Sequence, residues 1–179
     1  FYNGDIAEEM CDALGNDSPL SDSDFKNYSA EWVDPISVDY RSYTAYSLPP
    51  NTQGIAALQI LGLLDGLDVS SWDDGTADYY HHMAEAVKIA FADRDAWVTD
   101  PNYIDIPTDS LLSDSYLQDR LELIQSNQSL PPSPEAGMVP GDTTAKSDNA
   151  AGDTCYVSVV DEDGLAVSMI QSIYYDFGS

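Results

Sequence analysis

Apolar residues recur along this chain in two periods, about 3.6 and 2, and the change of period divides it into elements. Residues 4–14 place Ile6, Met10 and Leu14 at steps of four, which predicts an amphipathic helix. Its first turn is acidic, as the helix dipole favours, and Gly15 offers a C-cap. Ser21-Asp22-Ser23-Asp24 opens a second, short helix that presents Phe25, Tyr28 and Trp32 and is ended by Asp34-Pro35. From Ile36 to Leu48 the period drops to two: Val38, Tyr40, Tyr43, Ala45 and Tyr46 are set among polar residues, which predicts one or two strands. Pro49-Pro50-Asn51-Thr52 breaks the pattern, with Thr52 placed to cap a helix from Gln53 to Leu67. Ile55, Leu58, Ile60, Leu61 and Leu64 make that helix apolar nearly all round, so it is expected at the centre.

The longest predicted helix runs from Gly75 to Val98. Tyr79, Met83, Ala86, Val87, Ala90, Phe91 and Trp97 sit at helical spacing, Thr76 or Asp74 is the cap, and Asp100-Pro101 is the stop. Ser110 to Gln125 predicts another helix with Leu112, Tyr116, Leu117, Leu121 and Ile124 inside. Residues 126–153 are rich in Ser, Pro, Gly, Asn and Asp with almost no apolar side chains, which predicts a mobile linker. It leads to a hairpin: an alternating strand from Thr154, a turn at Asp161-Glu162-Asp163-Gly164, and a return strand from Leu165 to Tyr174. There is no internal repeat.

Charge narrows the partners. The 179 residues carry 32 acidic against 6 basic side chains, a net charge of −26. Nucleic acid and anionic membrane surfaces are excluded, because both need a Lys/Arg footprint. The same charge would suit a disordered chain, but 43% of the residues are hydrophobic and 11% aromatic, and they are periodic. A folded core under an acidic coat follows. Asp outnumbers Glu, and Lys26, Lys88 and Lys146 are the only lysines, a pattern expected of a halophile's protein. In molar salt the Debye length is about 3 Å, which screens the self-repulsion. The favoured setting is the cytoplasm of a high-salt cell, with secretion left open. No run of some 18 apolar residues is present, so no membrane span is expected. The start at Phe1 and the end at Gly178-Ser179, directly after a strand, suggest a piece of a larger protein.

Little of the remaining chemistry stands out. Cys11 and Cys155 are too few for a disulfide scaffold or a zinc site, and are expected as buried, reduced thiols. The glycines form no phosphate-binding fingerprint. His81 and His82 are adjacent on a helix, point to different faces, and lack metal-ligand spacing. Asp93-Arg94-Asp95 reads as a salt-bridged structural cluster. Thr154 remains. At the head of a hairpin strand it is ordinarily just a β-branched strand residue. If the bond before it is cut, however, it carries a nucleophilic hydroxyl and an α-amine base on one residue.

Several short stretches then fall in a shared order. Phe1-Tyr2-Asn3-Gly4-Asp5-Ile6-Ala7 is similar to a "FYxGxIA" helix start, and Pro35-Ile36-Ser37-Val38-Asp39-Tyr40-Arg41 to a "PISxxYRG" strand. Leu48-Pro49-Pro50, Met83-Ala84-Glu85-Ala86 with Ala92-Asp93-Arg94, and Asp100-Pro101 follow. Thr154-x-x-x-Ser158-Val159-Val160-Asp161-x-x-Gly164 and Phe177-Gly178 complete the series. By that order the chain resembles, over residues 1–179, the γ-glutamyltransferase (γ-glutamyltranspeptidase) family of N-terminal-nucleophile (Ntn) hydrolases.

The resemblance implies an α+β fold, part of an Ntn-hydrolase αββα sandwich. Residues 1–125 would be the helical C-terminal part of a large subunit, 126–153 the approach to a processing site between Asp153 and Thr154, and 154–179 the first hairpin of a small subunit. It implies self-cleavage before Thr154, then transfer or hydrolysis of an acyl group from an amide through a Thr154 acyl-enzyme. Ser172 falls where the family has a second hydroxyl beside the nucleophile. Tyr174 falls where an Asn or Glu helps to hold the γ-glutamyl amino group, and a phenol cannot do the same. Cys155-Tyr156 replace the usual Thr-His after the nucleophile, and Ile170 replaces a Thr. Ser168-Met169-Ile170-Gln171-Ser172 onward looks more like the acylase and amidohydrolase branch. Partners would be a small γ-glutamyl or acyl amide substrate and the rest of its own two subunits, with a homodimer left open and neither cofactor nor metal required. The rival readings are an amidohydrolase or acylase without γ-glutamyl specificity, and an inactive structural or binding homologue. The piece by itself is expected to be inactive.

Overall fold

A computed structural model describes residues 1–15, 18–139 and 154–172. The helices are α1 (Asp5–Leu14), α2 (Asp22–Asn27), α3 (Gly54–Asp65), α4 (Ala77–Trp97), α5 (Thr108–Leu111) and α6 (Asp114–Leu121). Strands β1 (Ile36–Tyr40) and β2 (Tyr43–Ser47) form one antiparallel hairpin, and β3 (Thr154–Val160) and β4 (Ala166–Ser172) form another. Helices and small sheets together make an α+β chain. Among the described residues no helix is long and apolar enough to cross a membrane.

The core forms where α3 meets α4, α6 and the inner face of the first hairpin. Leu58, Leu63 and Leu64 of α3 pack with Val38, Ala86, Ile89 and Leu117, all buried. The approach of α6 depends on Gly62, since a Cβ there would lie 2.5 Å from Leu117 Cδ1. A second cluster joins Ile55, Trp97 and Leu111 to Val139. At the C-terminal end of α3 the last carbonyls find a cation. Arg41, at the β1–β2 turn, has a left-handed φ of 59°. Its backbone N–H donates to Asp65 Oδ1 at 2.7 Å and its guanidinium to Leu67 O at 2.8 Å. A cation at this end also complements the helix dipole.

Four differences from the sequence pattern have local causes. Thr52 does not cap α3; its hydroxyl donates back to Leu48 O and Pro49 O, and Gln53 takes the cap position without a side-chain bond. The helix expected over 110–125 is split, because Ser113 Oγ accepts from Tyr116 N and so starts α6 afresh. The short second helix stops at Asn27, where Tyr28 is extended, leaving Trp32 fully exposed. On α1, Ile6 and Met10 face outward while Ala7 is buried, and the residues just before α1 and just after α2 meet through a ring contact, Tyr2–Tyr28 at 5.0 Å. Cys11 is a free, half-buried thiol.

The stretch expected to be a mobile linker from 126 is, as far as Val139, fastened to the helical body. Its polar composition conceals this because the polar part of the fastening is to its backbone.

Candidate active site

Thr154 heads β3, and the turn at the other end of the hairpin decides what stands opposite it. Asp161 Oδ1 accepts from Asp163 N at 3.0 Å and Leu165 N at 2.9 Å, while Gly164 takes the left-handed φ of 84°. A turn so defined fixes the register of the strands it joins. The ladder then runs Val160↔Ala166, Ser158↔Ser168 and Tyr156↔Ile170 to end at Thr154↔Ser172. The two hydroxyl residues singled out from the sequence are thus direct register partners. Such partners have Cα atoms roughly 4.5–5.5 Å apart. Further in, Tyr156 Oη and Ser168 Oγ are 2.8 Å apart. Tyr156, Val157, Val159, Val160, Val167, Met169 and Ile170 are all exposed, so neither face of this hairpin is covered among the described residues. Asp153 and Tyr174 lie outside the described residues.

Residues 130–137, a strap well before this hairpin in the chain, are held by α4. Along that helix the step-four row Glu85, Ile89, Asp93, Trp97 is buried throughout, so two carboxylates interrupt an apolar stripe. Each is 1% exposed and each accepts hydrogen bonds that offset the loss of water. Asp93 is the more heavily bonded. Its Oδ1 accepts from Arg120 Nη2 at 3.0 Å and Gly137 N at 2.7 Å, and its Oδ2 from Gln59 Nε2 at 3.1 Å and Tyr116 Oη at 2.9 Å. Burial, and then the charge and hydrogen bond of Asp93, push the Tyr116 phenol far above its ordinary pKa, so it stays a neutral donor. Arg120 Nη2 also donates to Glu135 O at 2.9 Å, and Trp97 Nε1 to Gly137 O at 3.1 Å. The expected Asp93-Arg94-Asp95 cluster is therefore divided. Arg94 pairs with Asp95 at 2.6 Å, while Asp93 turns inward to Arg120.

Glu85 does the same two helical turns earlier. Its Oε2 accepts from Leu130 N at 2.7 Å and its Oε1 from Lys88 Nζ at 2.6 Å, and Lys88 also donates to Leu130 O at 2.9 Å. Burial alone would raise the Glu85 carboxyl, but the Lys88 bond, the Leu130 N–H and nearby positive charge outweigh it and hold the carboxyl below its ordinary value. A depressed folded pKa gives stability that is complete above the unfolded value, about 4.3, and lost as pH falls through the folded one. Glu85→Gln should therefore lower the unfolding temperature at pH 6, with the difference from wild type shrinking below about pH 4.3. A difference that does not shrink at all as pH falls below about 4.3 would contradict this assignment.

The histidines take structural partners: His81 Nε2 lies 2.7 Å from Gln125 O, and His82 stacks on Trp72 at 4.4 Å. The sequence reading missed Glu85, Asp93 and Arg120 as a working set. The signal that could have found the two carboxylates is the acidic residue at every second position of the row 85, 89, 93, 97.

Residues 1–179, the whole chain, match the γ-glutamyltranspeptidase family profile. The chain belongs to the γ-glutamyltranspeptidase family. It is 40% identical over its full length to the glutathione hydrolase-like YwrD proenzyme of Bacillus subtilis, of which it covers 32%. It is 38% identical to the oxamate amidohydrolase proenzyme of Klebsiella pneumoniae, again over its full length and 31% of that protein. Among solved structures, the cephalosporin acylase from Bacillus halodurans superposes with a TM-score of 0.78 at 35% identity, covering 99% of this chain and 30% of that one. The chain thus spans about a third of the length of the curated relatives it matches. Glutathione hydrolase, amidohydrolase and acylase proenzymes stand together in this family of hydrolases and transferases.

Proposed function

We propose that this chain is the part of a γ-glutamyltranspeptidase-family enzyme that carries its nucleophile, with residues 1–125 ending the large subunit and 154–179 starting the small one. The observation that carries the reading is the hairpin register, which makes Thr154 the partner of Ser172 at the open end of the ladder. The relatives' designation as proenzymes supports a cleavage. In that step the Thr154 hydroxyl oxygen bonds to the Asp153 carbonyl carbon, the C–N bond to Thr154 breaks, and the freed nitrogen takes the proton. Water then opens the resulting ester, releasing the Asp153 carboxylate and a Thr154 with a free α-amine. That amine, with a reference pKa of about 7.7–8.0, is a competent base at neutral pH. It takes the hydroxyl proton as Thr154 attacks the carbonyl carbon of a substrate amide, then gives that proton to the leaving amine, whose C–N bond breaks to leave the acyl-enzyme. Water, or an acceptor amine, resolves the ester. Ser172, the nearest cross-strand residue, supplies the second hydroxyl beside the nucleophile.

For the substrate, an acyl amide without a γ-glutamyl group is favoured, because Tyr174 stands where the family's amino-group ligand would be. The oxamate amidohydrolase and acylase relatives agree with that choice. Mass spectrometry of the full-length protein in molar salt is expected to find a new N-terminus at Thr154. The cleaved protein should release aniline from simple acyl anilides faster than from a γ-glutamyl anilide. One intact chain that turns over neither would instead identify an inactive homologue, and robust γ-glutamyl transfer to a dipeptide would overturn the substrate choice.

A further inference from the structure

The turn that closes the β3–β4 hairpin is built on one residue. All three N–H groups of residues 163–165 end on Asp161: Asp163 N and Leu165 N donate to its Oδ1, and Gly164 N to its backbone carbonyl at 3.1 Å. Asp161 N in return donates to Leu165 O at 3.0 Å. With Gly164 at its left-handed φ of 84°, residues 162–164 form the kind of three-residue loop whose geometry fixes how the flanking strands pair. The seven residues of β3, at about 3.3 Å each, put this turn roughly 20 Å from Thr154 along the strand.

Among the described residues, little else in the ladder defends its register. A slip of one residue would exchange the two faces of a strand, which any covering surface opposes. A slip of two returns every residue to its own face, so burial does not oppose it. Side-chain pairing opposes it weakly, through the exposed bond from Tyr156 Oη to Ser168 Oγ at 2.8 Å. Yet a slip of two would take Ser172 from opposite Thr154, in one sense bringing Ile170 there instead. The turn is what separates one pairing from the other.

We propose that Asp161 is a positioning residue for both steps at Thr154, the cleavage and the attack on an amide, because its carboxylate holds the register that keeps Ser172 opposite. The inference rests on the function proposed above and adds to it a residue that touches no reacting atom. A hydrogen bond of this kind is worth about a factor of five in an equilibrium, so losing the two to Oδ1 shifts the balance between registers roughly 25-fold. The margin of the native register absorbs part of that shift, and a fall in rate of about fivefold is expected.

The experiment compares variants of the full-length protein. Asp161→Ala should form the Thr154 N-terminus about fivefold more slowly than wild type. Once cleaved, it should turn over an acyl anilide with kcat lowered by about the same factor and KM little changed. Asp161→Asn keeps the Oδ1 acceptor without the charge, and should restore both rates to within about twofold. Glu162→Ala removes a charge from the same turn but none of these bonds, and should match wild type. In a Ser172→Ala background, Asp161→Ala should cost little more, because the pairing it protects no longer supplies a hydroxyl. Wild-type rates in Asp161→Ala overturn the inference while leaving the proposed function standing. Equal losses in the Ala and Asn variants overturn it too, since they assign the effect to charge. So do fully multiplicative losses with Ser172→Ala, which would show that Asp161 acts elsewhere. A wild-type chain that is never cut at this bond refutes the function itself, and the inference with it.

Discussion

Thr154→Ala in the full-length protein is expected to leave a single uncut chain and to abolish amide turnover. Both steps draw on one hydroxyl, so its loss is not made good elsewhere. Removing a nucleophile that acts together with its base lowers turnover on the order of 10⁴–10⁶-fold in well-studied hydrolases. Thr154→Ser keeps the hydroxyl and should keep both activities, though with altered rates. Ser172→Ala should be milder, since it removes a neighbour rather than the attacking atom. The checks are mass spectrometry for the N-terminus and anilide release for turnover. Cleavage or turnover surviving in Thr154→Ala would remove Thr154 as nucleophile.

Asp93→Ala should destabilise the protein by about 3–5 kcal/mol, the range for breaking one partner of a buried ion pair. The carboxylate accepts from Arg120, Gly137, Gln59 and Tyr116. Arg120 is only 8% exposed, so it would be left as a buried, unbalanced charge. Its Nε already has no partner, which leaves little to absorb a further loss. The surface pair Lys26–Asp22 is the contrast, with both side chains about half exposed. Lys26→Ala should leave stability nearly unchanged. Denaturant unfolding of the full-length variants separates the two. A loss under about 1 kcal/mol for Asp93→Ala would show that the network is not what holds this region together.

Periodicity made the central helices legible. Ile55, Leu58 and Leu64 on α3, and Ala86, Ala90 and Trp97 on α4, were placed inside by spacing alone and are buried. The ends were less readable, because caps depend on where one hydroxyl turns: Thr76 caps α4 as its position suggests, whereas Thr52 turns back to Leu48. Thr154 and Ser172 could be singled out only through a family resemblance, since nothing in a β-branched strand residue announces a nucleophile. The register that pairs them is set by Asp161 and Gly164, whose turn-forming character is legible. What composition hid was the strap. Ser, Pro and Gly suggest freedom when side chains are counted, but here the docking groups are peptide N–H and C=O groups, which every sequence but a proline-substituted one supplies in full. On α4, Asp93 reads in the sequence as one of a salt-bridged cluster with Arg94 and Asp95, which conceals its inward turn to Arg120.

Because the strap is grasped by its main chain, its tolerance of change should be lopsided. Side chains between Leu130 and Gly137 make no hydrogen bond among the described residues, so most of them should be free to drift across descendants of this sequence. Its length is not free. One residue gained or lost between the two carboxylates would put the wrong peptide group before Asp93. Among relatives, the signature of this device would therefore be a run of constant spacing and shifting letters, which comparisons scored on identity would pass over.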